Sequence, residues 1–208
     1  MKEVKPGDEA MELKDRARRT EDSDEAIKLL DKVILLWLQA AEQGETEMSR
    51  TLNIGNARTA EANRSVMFAN KLVDKARASS GDVEAGYLKE AADQMLKASL
   101  LRMEAAETAR EYGYSAVYYN RLGIVHSNKA FYSYYHAWAS DAVGDLDTAL
   151  SGYKEALSIL KTALGHFNKS LRIESNSDRE DNRNDCLDYM EWCRASIQGV
   201  RSKMRSAR

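Results

Sequence analysis

Between residues 146 and 171 eight large apolar side chains, Leu146, Leu150, Tyr153, Leu157, Leu160, Leu164, Phe167 and Leu171, recur at alternating spacings of four and three. On an α-helix that spacing gathers all of them into one stripe about seven turns long. Ala149, Ala156 and Ala163 flank the stripe, so a neighbouring helix can approach closely there. An apolar stripe of this length has to be covered by other helices of similar length.

The rest of the chain supplies them. One proline and eleven glycines in 208 residues leave few interruptions, and the abundance of Ala, Leu, Glu, Lys and Arg favours helix nearly throughout. Asp8 is placed to cap a short helix, and Asp22 with Glu25 has the spacing of a capping box. Long helices are predicted over about 24–43, 46–79, 83–112, 115–143, 146–171 and 178–206, the last opened by Ser177 and Glu180. Gly44, Gly81, Gly113 and Gly144 punctuate them, 37, 32 and 31 residues apart. The turns EDSDEAI, GDVEAGY and GDLDTAL open alternate long helices. The expected fold is all-α: six long antiparallel helices plus a short N-terminal one. They form either an elongated bundle or an array of three hairpins at about 22–80, 81–143 and 144–206. Residues 8–206 read as one domain, with a flexible arm at 1–7.

Charge narrows the function. The formal net charge is −2, from 31 basic and 33 acidic residues, which argues against nucleic acid as a partner. The longest uncharged apolar run, Val33 to Leu38, is far short of a membrane span, and the N-terminus has no apolar signal core. Cys186 and Cys193, seven residues apart, fit a free-thiol seam and a reducing compartment. A cytoplasmic protein is expected, without membrane contact.

No catalytic constellation is visible. His126, His136 and His166 form no metal-binding motif. Asp181, Asp185 and Asp188 share a helical face, but acidic residues early in a helix complement its dipole. The cysteines alternate with Met190 and Ile197, where cysteine behaves as a small hydrophobe. Arg201 to Arg208 places cations at a helix C-terminus, which the dipole also favours. The expectation is a protein that is not an enzyme and carries no metal or cofactor.

Residues 112–138 hold nine of the sixteen aromatics. Consecutive pairs such as Tyr118-Tyr119 and Tyr134-Tyr135 cannot share one face, since neighbours lie about 100° apart on a helix. Two readings follow. Helix 115–143 is central and packed on both sides, or it presents a groove. In the second reading Tyr118, Tyr119, Arg121, Tyr132, Tyr134, Tyr135 and Trp138 contact a partner.

The run from Gly144 to Leu157 resembles the second helix of a tetratricopeptide repeat, with small, aromatic and small residues at Ala149, Tyr153 and Ala156. The segment AIKLLDKVI at 26–34 is a fainter echo. Here about 32 residues make one helix, where that repeat makes two from about 34. The resemblance implies an array whose concave surface binds peptides or protein partners. The leading expectation is therefore a non-enzymatic scaffold for a protein or peptide partner. The alternatives are a bundle holding a small apolar ligand and a structural homo-oligomer such as a homodimer.

Overall fold

Helix boundaries follow the punctuation of the chain. The computed structural model describes residues 5–207, and among them it forms seven helices and no strand. They are α1 (Pro6–Arg19), α2 (Ser23–Glu42), α3 (Glu47–Arg77), α4 (Gly81–Glu111), α5 (Ser115–Ala142), α6 (Leu146–Ile173) and α7 (Ser177–Ser206). The all-α expectation holds.

Two starts differ from the reading above. Helix α1 begins at Pro6 and not after Asp8, because a proline in the first turn gives up no hydrogen bond and its φ is already helical. Pro6 and Gly7, inside the expected arm at 1–7, are the first residues of α1, while residues 1–4 lie outside the described part. Helix α7 is capped by Asn176, whose Oδ1 accepts from Arg179 N at 3.0 Å, and Ser177 is already helical. Asp22 caps α2 as expected, and Asp145 caps α6, its Oδ1 accepting from Thr148 N.

The ends of α4 and α5 explain the sharp turns. Gly113 and Gly144 have φ of +77° and +82°, a conformation that disfavours residues with a Cβ. After α4, Tyr114 N donates to Ala109 O and Gly113 N to Arg110 O. After α5, Asp145 N donates to Ser140 O and Gly144 N to Asp141 O. Both pairs satisfy carbonyls that the helix end would otherwise leave without partners.

Each helix packs on its neighbours in chain order, and α5 also touches α7. Packing of α3 on α4 and of α5 on α6, across the expected hairpin boundaries, is as extensive as packing within the hairpins. The chain is therefore a continuous row of helices. It curls enough for Arg18 of α1 to reach Asp178 of α7, at 3.4 Å.

Small residues set the helix spacing. Ala91, Ala92, Ala98, Ala105, Ala106 and Ala109 are buried on α4. Between α5 and α6 the approach depends on glycine. A Cβ on Gly123 would stand 2.4 Å from the ring of Phe167, and one on Gly152 would stand 2.8 Å from Ala137 Cβ. The organising stripe of α6 buries Tyr153, Leu160 and Phe167 against α5 and α7.

Candidate functional site

Three helices carry a second stripe at the same four–three spacing, in which polar side chains interrupt apolar ones. On α3 it runs Thr59, Asn63, Val66, Asn70; on α7, Asp178, Asn182, Asp185, Tyr189. On α5 it runs Val117, Arg121, Ile124, Asn128, Phe131, Tyr135. The α5 and α7 stripes meet at one end, where the rings of Phe131 and Tyr189 lie 4.7 Å apart, and elsewhere the three stripes stand apart. They line two adjoining hollows of about 570 and 200 Å³ that share Val66, Arg102, Ile124, Asn182 and Asp185. Lys14 and Arg18 of α1 line the wider part. The result is a cleft with walls from α1, α3, α5 and α7 and a floor at Arg102 of α4.

Arg102 is out of place by its neighbours. It occupies the stripe position between Ala98 and Ala105, where the rest of α4 buries small residues. One of its Nη atoms donates to Asn63 Oδ1, while Nε is buried without a partner. Arg121 reaches across from α5 and donates to the carbonyl of Ala105, one turn along α4 from Arg102. The two guanidiniums thus meet on the same stretch of α4, and no carboxylate pairs with either among the described residues. Burial, and secondarily the nearby Arg121, pull the Arg102 guanidinium down to about 10. Burial also lowers Arg121. Removing a cation from water without a counter-charge disfavours its charged form.

Asparagines complete the cleft. Asn182 Nδ2 donates to Asn120 Oδ1 at 3.3 Å. Asn128 is 5% exposed and its Nδ2 has no partner. Asp185 also lines both hollows, and its carboxyl is held above the ordinary range by burial and then by Asp181 and Asp188. Arg18 opposes that shift, and Arg18 is itself paired to Asp178.

Of the seven expected partner residues, Arg121 lines the wider hollow and Tyr135 the inner one. Tyr135 is buried against α3 and α4 and also backs the inner hollow. Tyr134 is wedged among three clusters of the core, and its hydroxyl lies 3.0 Å from Ser196 Oγ. Trp138 Nε1 donates to Glu84 Oε1 at 2.9 Å, and Tyr132 packs edge-on to His136. Tyr118 tilts against Tyr119, whose ring stacks on His166 and lies 3.9 Å below Lys169 Nζ. The tyrosines of α5 therefore do not form one exposed contact surface. The helix is covered by α4 on one side and α6 on the other, so large side chains on both sides are interhelical packing. A polar stripe on the same helix lies open to the cleft beside them. Its signal, an Arg and an Asn at four–three spacing with Ile124, is in the sequence but is masked by the aromatics beside it.

The histidines pair differently from their spacing along α5. His126 meets His166 of α6, with rings stacked at 5.0 Å. Among the described residues no three His, Cys, Asp or Glu side chains converge as a metal site would need, and no helix is long and apolar enough to cross a membrane. Comparison with protein-family models, with curated proteins and with solved structures gives no match.

Proposed function

We propose that the protein is a non-enzymatic scaffold whose cleft receives an extended segment of a protein partner. The observation that carries this reading is the cleft of about 570 Å³, which draws walls from four helices and exposes polar side chains along its length. Asn63, Asn120, Asn182 and Arg121 offer both donors and acceptors, which suits the backbone of an extended peptide. The tetratricopeptide-like run at 144–157 agrees with this use but lies on α6, away from the cleft. A small apolar ligand has less support: the hollow among Phe131, Tyr134, Leu160, Tyr189 and Trp192 is about 10 Å³, room for one water.

The test is selection from a displayed library of unstructured peptides. Enriched peptides should bind the wild-type protein at one site. Thr59→Trp, which fills the cleft, should abolish binding, and Leu100→Ser, on an exposed face of α4, should not change it. No enrichment, or binding that survives Thr59→Trp in a folded protein, refutes the reading.

A further inference from the structure

The floor of the cleft holds more positive charge than the protein itself neutralises. Arg102 and Arg121 converge on one turn of α4 and neither has a carboxylate partner. Elsewhere in the chain eleven ion pairs are formed among the described residues, several of them between exposed side chains where pairing gains little. Acid groups are not scarce, so two unpaired guanidiniums in a partly buried place are notable. Both residues are half-buried and each keeps one neutral acceptor, but a cation partly withdrawn from water without a counter-charge is disfavoured, and two together repel.

The polar groups around them are unfinished in the same sense. Arg102 Nε can only donate, and it has no acceptor. Asn128 Nδ2, on the α5 stripe two turns from Arg121 and lining the inner hollow with Arg102, has none either. Asp185 lines the same hollows but pairs with neither arginine, so what the two guanidiniums lack is a negatively charged acceptor within reach.

We propose that Arg102 and Arg121, with Asn128 behind them, form an oxyanion-binding site for a carboxylate or phosphate group. This rests on the peptide reading above insofar as the group is carried by the bound segment, as an acidic or phosphorylated side chain. A planar guanidinium presents two parallel N–H donors to either group. Arg102 Nε is not reached by solvent in this conformation, so the ligand turns the guanidinium away from Asn63, to which it is held by a single hydrogen bond. Asp185 on the facing wall disfavours the anion and limits its affinity.

The experiment is an NMR titration of the arginine Nε–H resonances at constant ionic strength, with inorganic phosphate and acetate as separate probes and chloride as the control. One or both probes should shift the Arg102 resonance saturably. Arg121→Gln should weaken that binding roughly tenfold or more, about 1.4 kcal/mol. Asp185→Asn should strengthen it, an outcome that a purely structural role for the arginines would not give. Acetate alone acting identifies a carboxylate; phosphate alone acting identifies a phosphoryl group. No saturable shift with either probe overturns the site, whatever peptides do. When neither probe shifts Arg102, selected peptides that bind wild type and Arg102→Lys equally leave the peptide reading intact. Probe binding with no peptide enriched keeps the oxyanion site and removes the peptide reading.

Discussion

Replacing Gly123 by alanine isolates the contact that sets the spacing of α5 and α6. The new Cβ would lie 2.4, 2.5 and 2.7 Å from three ring carbons of Phe167, where carbon atoms ordinarily sit about 3.5–4.0 Å apart. The ring has to retreat by about 1 Å. It is 1% exposed and packed among Ala130, Leu160 and Cys186, so retreat disturbs a filled core at about 1–3 kcal/mol. Alanine returns up to about 1 kcal/mol through its better helix propensity. The net expectation is a loss of ~0.5–2 kcal/mol. Gly165 and Gly86 are the controls: both are helical and exposed, and a Cβ on either meets nothing within 4 Å. Alanine there should stabilise by about 0.5–1 kcal/mol. Urea unfolding followed by circular dichroism measures all three. In Gly123→Ala combined with Phe167→Leu, the two losses should add to less than their sum. If Gly123→Ala is as stable as Gly165→Ala, the close approach of α5 to α6 is wrong.

Three further outcomes follow from particular side chains. Burial holds His126 and His166 below the ordinary imidazole range, with His166 and Lys129 adding to the first and Lys169 to the second. The native protein therefore binds fewer protons than the unfolded chain, so stability is full above about pH 7 and falls as pH drops through about 6.5. Unfolding midpoints across pH 5–8 should show that loss, and His126→Phe should reduce it. Burial pushes the thiols of Cys186 and Cys193 up to about 11 and about 12, so alkylation at pH 8 should be slow in the native protein and fast in denaturant; equal rates would contradict their placement. Tyr134→Ser with Tyr135→Ser should cost about 3 kcal/mol or more, since it empties large side chains from the core. A cooperative, undiminished unfolding transition in that variant would show that these rings are not packed as described.

The helices were legible because their signals are local. Asp22, Asp145 and the glycines at 81, 113 and 144 act within a few residues, and the elements they bound match the predicted ones closely. What was not legible depended on partners distant in sequence. Nothing near Gly123 says that Phe167 lies over it, and nothing near His126 says that His166 faces it. The tyrosines of α5 suggested a contact surface because two adjacent aromatics cannot share a face. The structure answers that two faces of α5 have their own neighbouring helices, α4 and α6. Arg102 was hidden differently: the apolar stripe of α4 reads on through Ala98 and Ala105, and the residue that breaks it is the one that reaches the cleft.

The polar stripes also explain why the row stays open. The alanine-rich faces of α4 and the glycines of α5 and α6 let chain neighbours pack closely. A closed bundle would require α3, α5 and α7 to press their inner stripes together as well. That would bury Asn63, Asn70, Asn120, Asn182, Arg121 and Asp185 more deeply. Each polar group left without a partner costs about 1–3 kcal/mol, and a charged one more. Phe131, Tyr135 and Tyr189 are already packed, and the remaining apolar residues of those stripes, Val66, Val117 and Ile124, return at most about 1.5–3 kcal/mol each on full burial. Closure therefore loses more than it gains, and the cleft persists without any rigid strut. Converting Asn63, Asn120 and Asn182 together to leucine reverses the balance. That variant should become more compact by small-angle scattering and should lose whatever the cleft binds. An unchanged radius of gyration would mean that helix geometry, and not the polarity of these stripes, holds the cleft apart.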